Sequence, residues 1–145
     1  MPNKKDFTDK INSISKNDWN RLFVLIGHIE KSSSFGEITG GGKDQNGVFL
    51  MPHIISSKLV DDFCDLCYEI GIIINFNWMQ WEDGRDLIKN PKSDLSNLST
   101  ETLCKLITLI IREDRFSDGS LVSYFENGII LKILYQLRQN INRTE

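Results

Sequence analysis

The strongest constraint on this chain lies near its C-terminal end. Residues 129–139 contain Ile129, Ile130, Leu131, Ile133, Leu134, Tyr135 and Leu137, and Lys132, Gln136 and Gln139 read as a narrow polar stripe. A helix that is apolar nearly all round cannot rest on a surface; it has to run through the middle of a core. A second helix precedes it. Leu103, Leu106, Ile107, Ile110 and Ile111 fall at i, i+3, i+4, i+7 and i+8, which is one helical face. Ser99 is placed to cap that helix, and Glu101 puts a negative charge in its first turn. Asp118-Gly119 and Asn127-Gly128 interrupt the chain between the two, leaving a short helix over 120–126.

The chain has no alanine and 19 isoleucines. A helical protein without the best helix former must take its stability from packing rather than propensity. The remaining apolar periodicity fits that demand. Trp19, Leu22, Phe23, Ile26 and Ile29 mark a helix over 17–31 that Ser15 or Asn17 can cap. Leu59, Phe63, Leu66, Cys67 and Ile70 mark another over 58–70, with Ser57 as its cap and Gly71 as a left-handed terminator. Residues 78–89 fit a further helix, stopped by Pro91. Ile72-Ile73-Ile74 is β-rich but short. The glycines at 36, 40–42 and 47 argue against helix, and predict a strand near 35–39, a loop, and a second strand near 47–51 that Pro52 ends. The expected fold is therefore mainly α: a compact single-domain bundle of five or six helices with a small β-hairpin near 35–51.

At 145 residues, the chain reads as one domain over 1–145 with residues 1–14 flexible or loosely packed. Its 17 basic and 20 acidic residues balance to −3, too little positive charge for a bulk polyanion binder. No apolar run is long enough to span a membrane. The polar first 16 residues carry no secretory h-region. Three cysteines without an export signal read as reduced thiols, so the expected compartment is the cytoplasm. The Ile, Asn and Lys excess suggests an AT-rich, bacterial genome.

Several motifs invite chemistry and fail its requirements. Cys64-Asp65-Leu66-Cys67 lies two turns into a helix rather than at its N-terminus, where a redox thiol is activated. Cys104, His28 and His53 are too scattered to complete a zinc site, so no metal and no cofactor are expected. Gly40-Gly41-Gly42-Lys43 lacks the glycine and hydroxyl of a phosphate loop, because Glu37 and Asp44 occupy those positions. His28 lies opposite the apolar face of its helix. His53, beside the glycine-rich turn, is the better acid–base candidate. Trp78 and Trp81 stand three apart and pack in the core or wall a pocket.

The densest polar cluster spans residues 112–119 and continues to Phe125, Glu126, Asn127 and Gly128. It links the three most apolar helices. One reading is an ion-pair knot in which Arg112 and Arg115 bind Asp114, Asp118 or Glu126. The other is an arginine-lined site for an anion. A helix–turn–helix reading fails on charge, since six bases balance six acids over the last 47 residues; no nucleic-acid partner is expected.

With this cluster the chain resembles DUF6508, a family of bacterial proteins of unknown function. The residues that carry the likeness are Trp19, Gly47-Val48, Met51-Pro52, Phe76, Trp78, Trp81, Glu101-Thr102-Leu103, Arg112, Asp114-Arg115-Phe116, Gly119-Ser120-Leu121, Phe125-Glu126 and Gly128. The resemblance implies a single-domain bacterial protein and brings no activity with it. The leading expectation is a small cytoplasmic binding module. In it Arg112 and Arg115 hold an anionic small molecule or protein group, and Trp78 or Trp81 forms an apolar wall. The alternatives are a small enzyme on an anionic substrate, with Asp114 or Glu126 as acid–base group and His53 as a second, and a structural or homo-oligomeric protein.

Overall fold

The computed structural model describes residues 4–43, 45–49 and 51–143. Among these described residues, seven α-helices and one two-stranded ribbon follow in the order α1 (Lys4–Asn12), α2 (Lys16–Lys31), β1 (Gly36–Thr39), β2 (His53–Ser56), α3 (Lys58–Ile70), α4 (Glu82–Lys89), α5 (Thr100–Glu113), α6 (Ser120–Glu126) and α7 (Ile129–Arg143). The mainly helical expectation holds. The extra helix is α1, whose short polar sequence shows little periodicity; its Ile11 is buried, and Thr8 donates a 3.3 Å hydrogen bond to Glu101 of α5.

α7 is the central helix. Ile129, Ile130, Ile133, Leu134 and Leu137 are wholly buried, and α2, α5 and α6 pack around it. Its polar stripe differs from the expected one. Gln136 is buried and donates to Asn140 at 2.9 Å, while Lys132 is half-buried and reaches the carbonyls of Pro91 (3.2 Å) and Ser93. The exposed face is Tyr135, Arg138 and Gln139. The loop that leads into α5 covers the side of α7 expected to be wet, and its carbonyl oxygens accept from Lys132 and from Asn140.

The helix ends form where the sequence places them. Ser15, Ser57 and Ser99 each accept the N–H three residues on, at 3.1, 3.4 and 3.1 Å. Gly71 takes φ 93°, a conformation other residues resist. Residues 72–74 are buried without joining a sheet. Thr108 of α5 holds them: it accepts the Ile74 N–H at 3.1 Å and donates to the Cys104 carbonyl at 2.9 Å. The expected helix over 78–89 is broken at Trp81. A 3-10 turn, Trp78–Gln80, precedes α4. The Trp81 indole folds back over Gly84, where a Cβ would lie 2.2 Å from the ring, and meets Phe76 edge-on at 5.6 Å. That fold-back is incompatible with a continuous helix.

The second strand lies beyond Pro52 rather than before it. Gly36 pairs with Ser56, Glu37 with Ile55, Ile38 with Ile54 and Thr39 with His53. Proline has no N–H for a ladder, so the ladder resumes at His53. The ribbon continues outward in the same register to an isolated Lys43–Phe49 bridge. Gly40 turns at φ 83°, and a side chain there would sit 2.4 Å from the Met51 carbonyl oxygen. Leu50, part of the expected strand, and Asp44 lie outside the described residues. Among the described residues no helix is long and apolar enough to cross a membrane.

Candidate functional site

The junction between α5 and α6 has to satisfy backbone donors that the turn leaves open. Its acids do this. Asp114 accepts the Leu121 N–H at 3.1 Å and so caps α6, whose own N-cap residue, Gly119, has no side chain to offer. Asp118 accepts the Ile54 N–H at 3.1 Å and ties β2 to the junction. Glu113 accepts the Tyr124 hydroxyl at 3.3 Å. Burial and that carboxylate push the Tyr124 phenol up to about 12.

The arginines are left outside this network. Among the described residues the ion pairs join Arg21 to Asp18 and Glu69, and Lys58 to Asp62; none involves Arg112 or Arg115. The ion-pair knot is therefore not what holds the junction. The physical reason is proximity: Asp114 and Asp118 sit beside unpaired N–H groups and are committed to them. Arg112 is half-buried. Its Nη2 makes a long 3.4 Å bond to Asn75, and its Nε is buried with no partner. Arg115 is exposed.

The segment after α3 supplies the aromatic side. It runs past the last turns of α5, which places Asn75 against Arg112 and Trp78 against Phe116, with ring centroids 6.0 Å apart and planes tilted 38°. Phe116 is itself 72% exposed. Arg112, Arg115, Phe116 and Trp78 thus belong to one neighbourhood. Trp81 is one ring removed, on Phe76, over which the Lys105 ammonium sits at 5.6 Å.

The acid–base candidates are arranged differently. His53 is exposed, with Nδ1 3.5 Å from the Met51 carbonyl. It adjoins Ile54 and so lies on the ribbon side of the junction. Asp114 serves the start of α6. Glu126 is exposed at its other end, about 8 Å of helix from Leu121.

Arg85 escaped the sequence reading. It is half-buried on α4, its Nε has no partner, and its charge acts on Tyr124. Glu82, Asp83 and Asp86 surround it in sequence, so it reads as one charge on a solvated face. Its being the one base of that acidic turn was the available signal.

The CxxC pair packs into the core. Cys64 is half-buried, Cys67 and Cys104 are buried, and all three are free. Burial, with Asp61, Asp114 and Asp65 nearby, pushes the Cys64 thiol up to about 12; burial drives the other two up as well. At pH 8 a thiol of that acidity is thiolate to the extent of roughly one part in ten thousand. Iodoacetamide at pH 8 is expected to leave all three cysteines unmodified until denaturant is added, as read by intact mass. Rapid single labelling of the native protein would show that Cys64 is instead activated. Among the described residues no group of three or more His, Cys, Asp or Glu is disposed to hold a metal ion.

The profile of a family of unknown function, DUF6508, matches residues 14–143. No curated protein and no solved structure matches the chain.

Proposed function

The chain belongs to DUF6508, a family whose description carries no activity, and from that premise we propose that it is a small binding module for an anionic group, held by Arg112 and Arg115 beside Trp78. One observation carries the reading: the Arg112 guanidinium is half-buried without a carboxylate while the acids around it are committed elsewhere. The guanidinium is partly desolvated and has no carboxylate beside it, and its two terminal Nη groups can take a carboxylate or phosphate in the bidentate manner arginine favours. Phe116 and Trp78 offer an apolar shelf next to that charge. Arg115, being exposed, contributes attraction that salt screens. The module is read as cytoplasmic, which the free cysteines support. Binding rather than catalysis is assigned because Asp114 already acts as a cap and Glu126 stands at the far end of α6.

Inorganic phosphate and succinate are the probes. Titration into the 15N-labelled protein is expected to shift the Trp78 indole and Asn75 side-chain signals. Arg112→Gln is expected to weaken that binding at least tenfold, in line with about 1.5–3 kcal/mol for a hydrogen bond to a charged group. Arg115→Gln weakens it less, and mainly at low salt. Equal binding by wild type and Arg112→Gln, or no shift at Trp78 with either anion, overturns the reading.

A further inference from the structure

The segment from Ile74 to Trp78 climbs one stripe of α5. Thr108, Arg112 and Phe116 stand four apart, the spacing that brings side chains to one face of a helix. α5 ends at Glu113, but the chain keeps turning beyond it. Phe116 and Ser117 both donate their N–H to the Glu113 carbonyl, at 2.9 and 3.1 Å, so Phe116 stays on the side of Arg112. The segment meets the stripe in order. Ile74 donates its N–H to Thr108 at 3.1 Å, Asn75 accepts from Arg112 at 3.4 Å, and Trp78 packs on Phe116 with centroids 6.0 Å apart. The first contact is buried and the second lies at the surface. Phe116 is 72% exposed.

Two unlike rungs therefore face solvent side by side. One is a guanidinium whose acceptor is a neutral carboxamide oxygen at long range. A carboxylate oxygen in that place makes a shorter, charge-assisted bond. The other is an aromatic ring with most of its surface in water. Four residues of helix separate the rungs by about 6 Å of rise. The ligand does not have to order either rung, because Thr108 holds the segment and Asp114 holds the turn through the Leu121 N–H. Charge limits the ligand further. Residues 112–118 hold two arginines and three acids, so a second negative charge meets net repulsion.

We propose that the anionic ligand of this site is a monocarboxylate joined through a short apolar chain to an aromatic ring. The carboxylate lies on Arg112, and the ring stacks on Phe116 beside Trp78. The proposal rests on the anion reading of Arg112 and narrows it. A carboxylate set two methylenes from a ring spans about the 6 Å of one such helical step. Stacking on Phe116 adds to what burial of the ring supplies. Phosphate and succinate fill the guanidinium rung alone, and the three acids disfavour polyphosphates.

The probe is 3-phenylpropanoate, titrated at pH 7 into the 15N-labelled protein. Its relatives each change one feature: propanoate lacks the ring, 3-phenylpropanamide the charge and benzoate the tether, while benzylmalonate adds a second carboxylate. Expected are shifts at the Trp78 indole and the Phe116 amide. The probe binds about three- to tenfold more tightly than propanoate or benzoate, at least tenfold more tightly than the amide, and no less tightly than benzylmalonate. Phe116→Ser, at so exposed a position, keeps the fold and removes the preference for the probe over propanoate. Arg112→Gln weakens both. Equal binding of propanoate and the probe, with both weakened by Arg112→Gln, overturns the ring and leaves the anion site standing. Probe binding that Arg112→Gln does not change overturns the anion site and this proposal together. Tighter binding of benzoate or benzylmalonate, or a preference that survives Phe116→Ser, overturns the proposal alone.

Discussion

Phe63→Ala is expected to lower the stability of the protein by about 3–5 kcal/mol, the range for deleting a buried phenylalanine. Phe63 is wholly buried. It meets Phe125 edge-on, with centroids 5.2 Å apart and planes at 90°. Phe125 in turn lies 5.4 Å from Phe35. This chain of three rings joins α3, α6 and the residue that leads into β1. Removing its first member leaves a cavity bordered by a helix too short to close it by shifting alone. Urea unfolding should show the midpoint falling with the slope unchanged. A loss below about 1 kcal/mol would mean that the site collapses freely, which a seated ring stack cannot do.

Gly119→Ala is expected to cost about 1.5–3.5 kcal/mol, from a left-handed backbone and from turning the end of the Ile54 side chain out of its rotamer. Gly119 has φ 83°, and a Cβ there would meet Ile54 Cδ1 at 2.2 Å, so the end of that side chain has to turn away. Gly128 is the matched control. It has φ 90° and nothing within 4 Å, so Gly128→Ala should cost only about 1–2 kcal/mol for the backbone. The difference measures the contact between the junction and the ribbon. It has a second readout, because the Ile54 side-chain methyl signals should shift in Gly119→Ala alone. Equal losses in the two variants would show that the ribbon does not press on the junction.

The two substitutions act at different places. Phe63 lies in the core against Phe125. Gly119 closes the turn that follows Arg115 and lies against Ile54 of β2. A variant there is expected to disturb the ribbon before the anion site, whose Arg112 belongs to α5.

Much of the architecture was legible because it is local. Ser15, Ser57 and Ser99 cap helices through bonds that span three residues, and Gly71 ends one by its own backbone freedom. The apolar faces of α2, α3 and α5 repeat every three to four residues. Trp81 shows where that legibility stops: residues 78–89 read as one helix until a tryptophan folds over Gly84. The second strand was misplaced for a similar reason. The run at 48–51 is more apolar than residues 53–56, but backbone pairing, not hydropathy, chooses the strand.

The candidate site divides along the same line. The sequence alone determined that a dense polar cluster would stand where the most apolar helices meet, because nothing else separates them. It could not determine which groups the cluster's acids would choose. Asp118 reaches across 64 positions to Ile54, and Arg112 across 37 to Asn75. Only the tertiary structure brings those donors and acceptors within range. It directs the carboxylates to backbone N–H groups and leaves the Arg112 guanidinium without a counter-charge. Helix periodicity and capping depend on neighbours a few residues away, and the sequence contains them in full. Hydrogen-bond partnership across a fold depends on which surfaces meet, and here that choice decides where a ligand could bind.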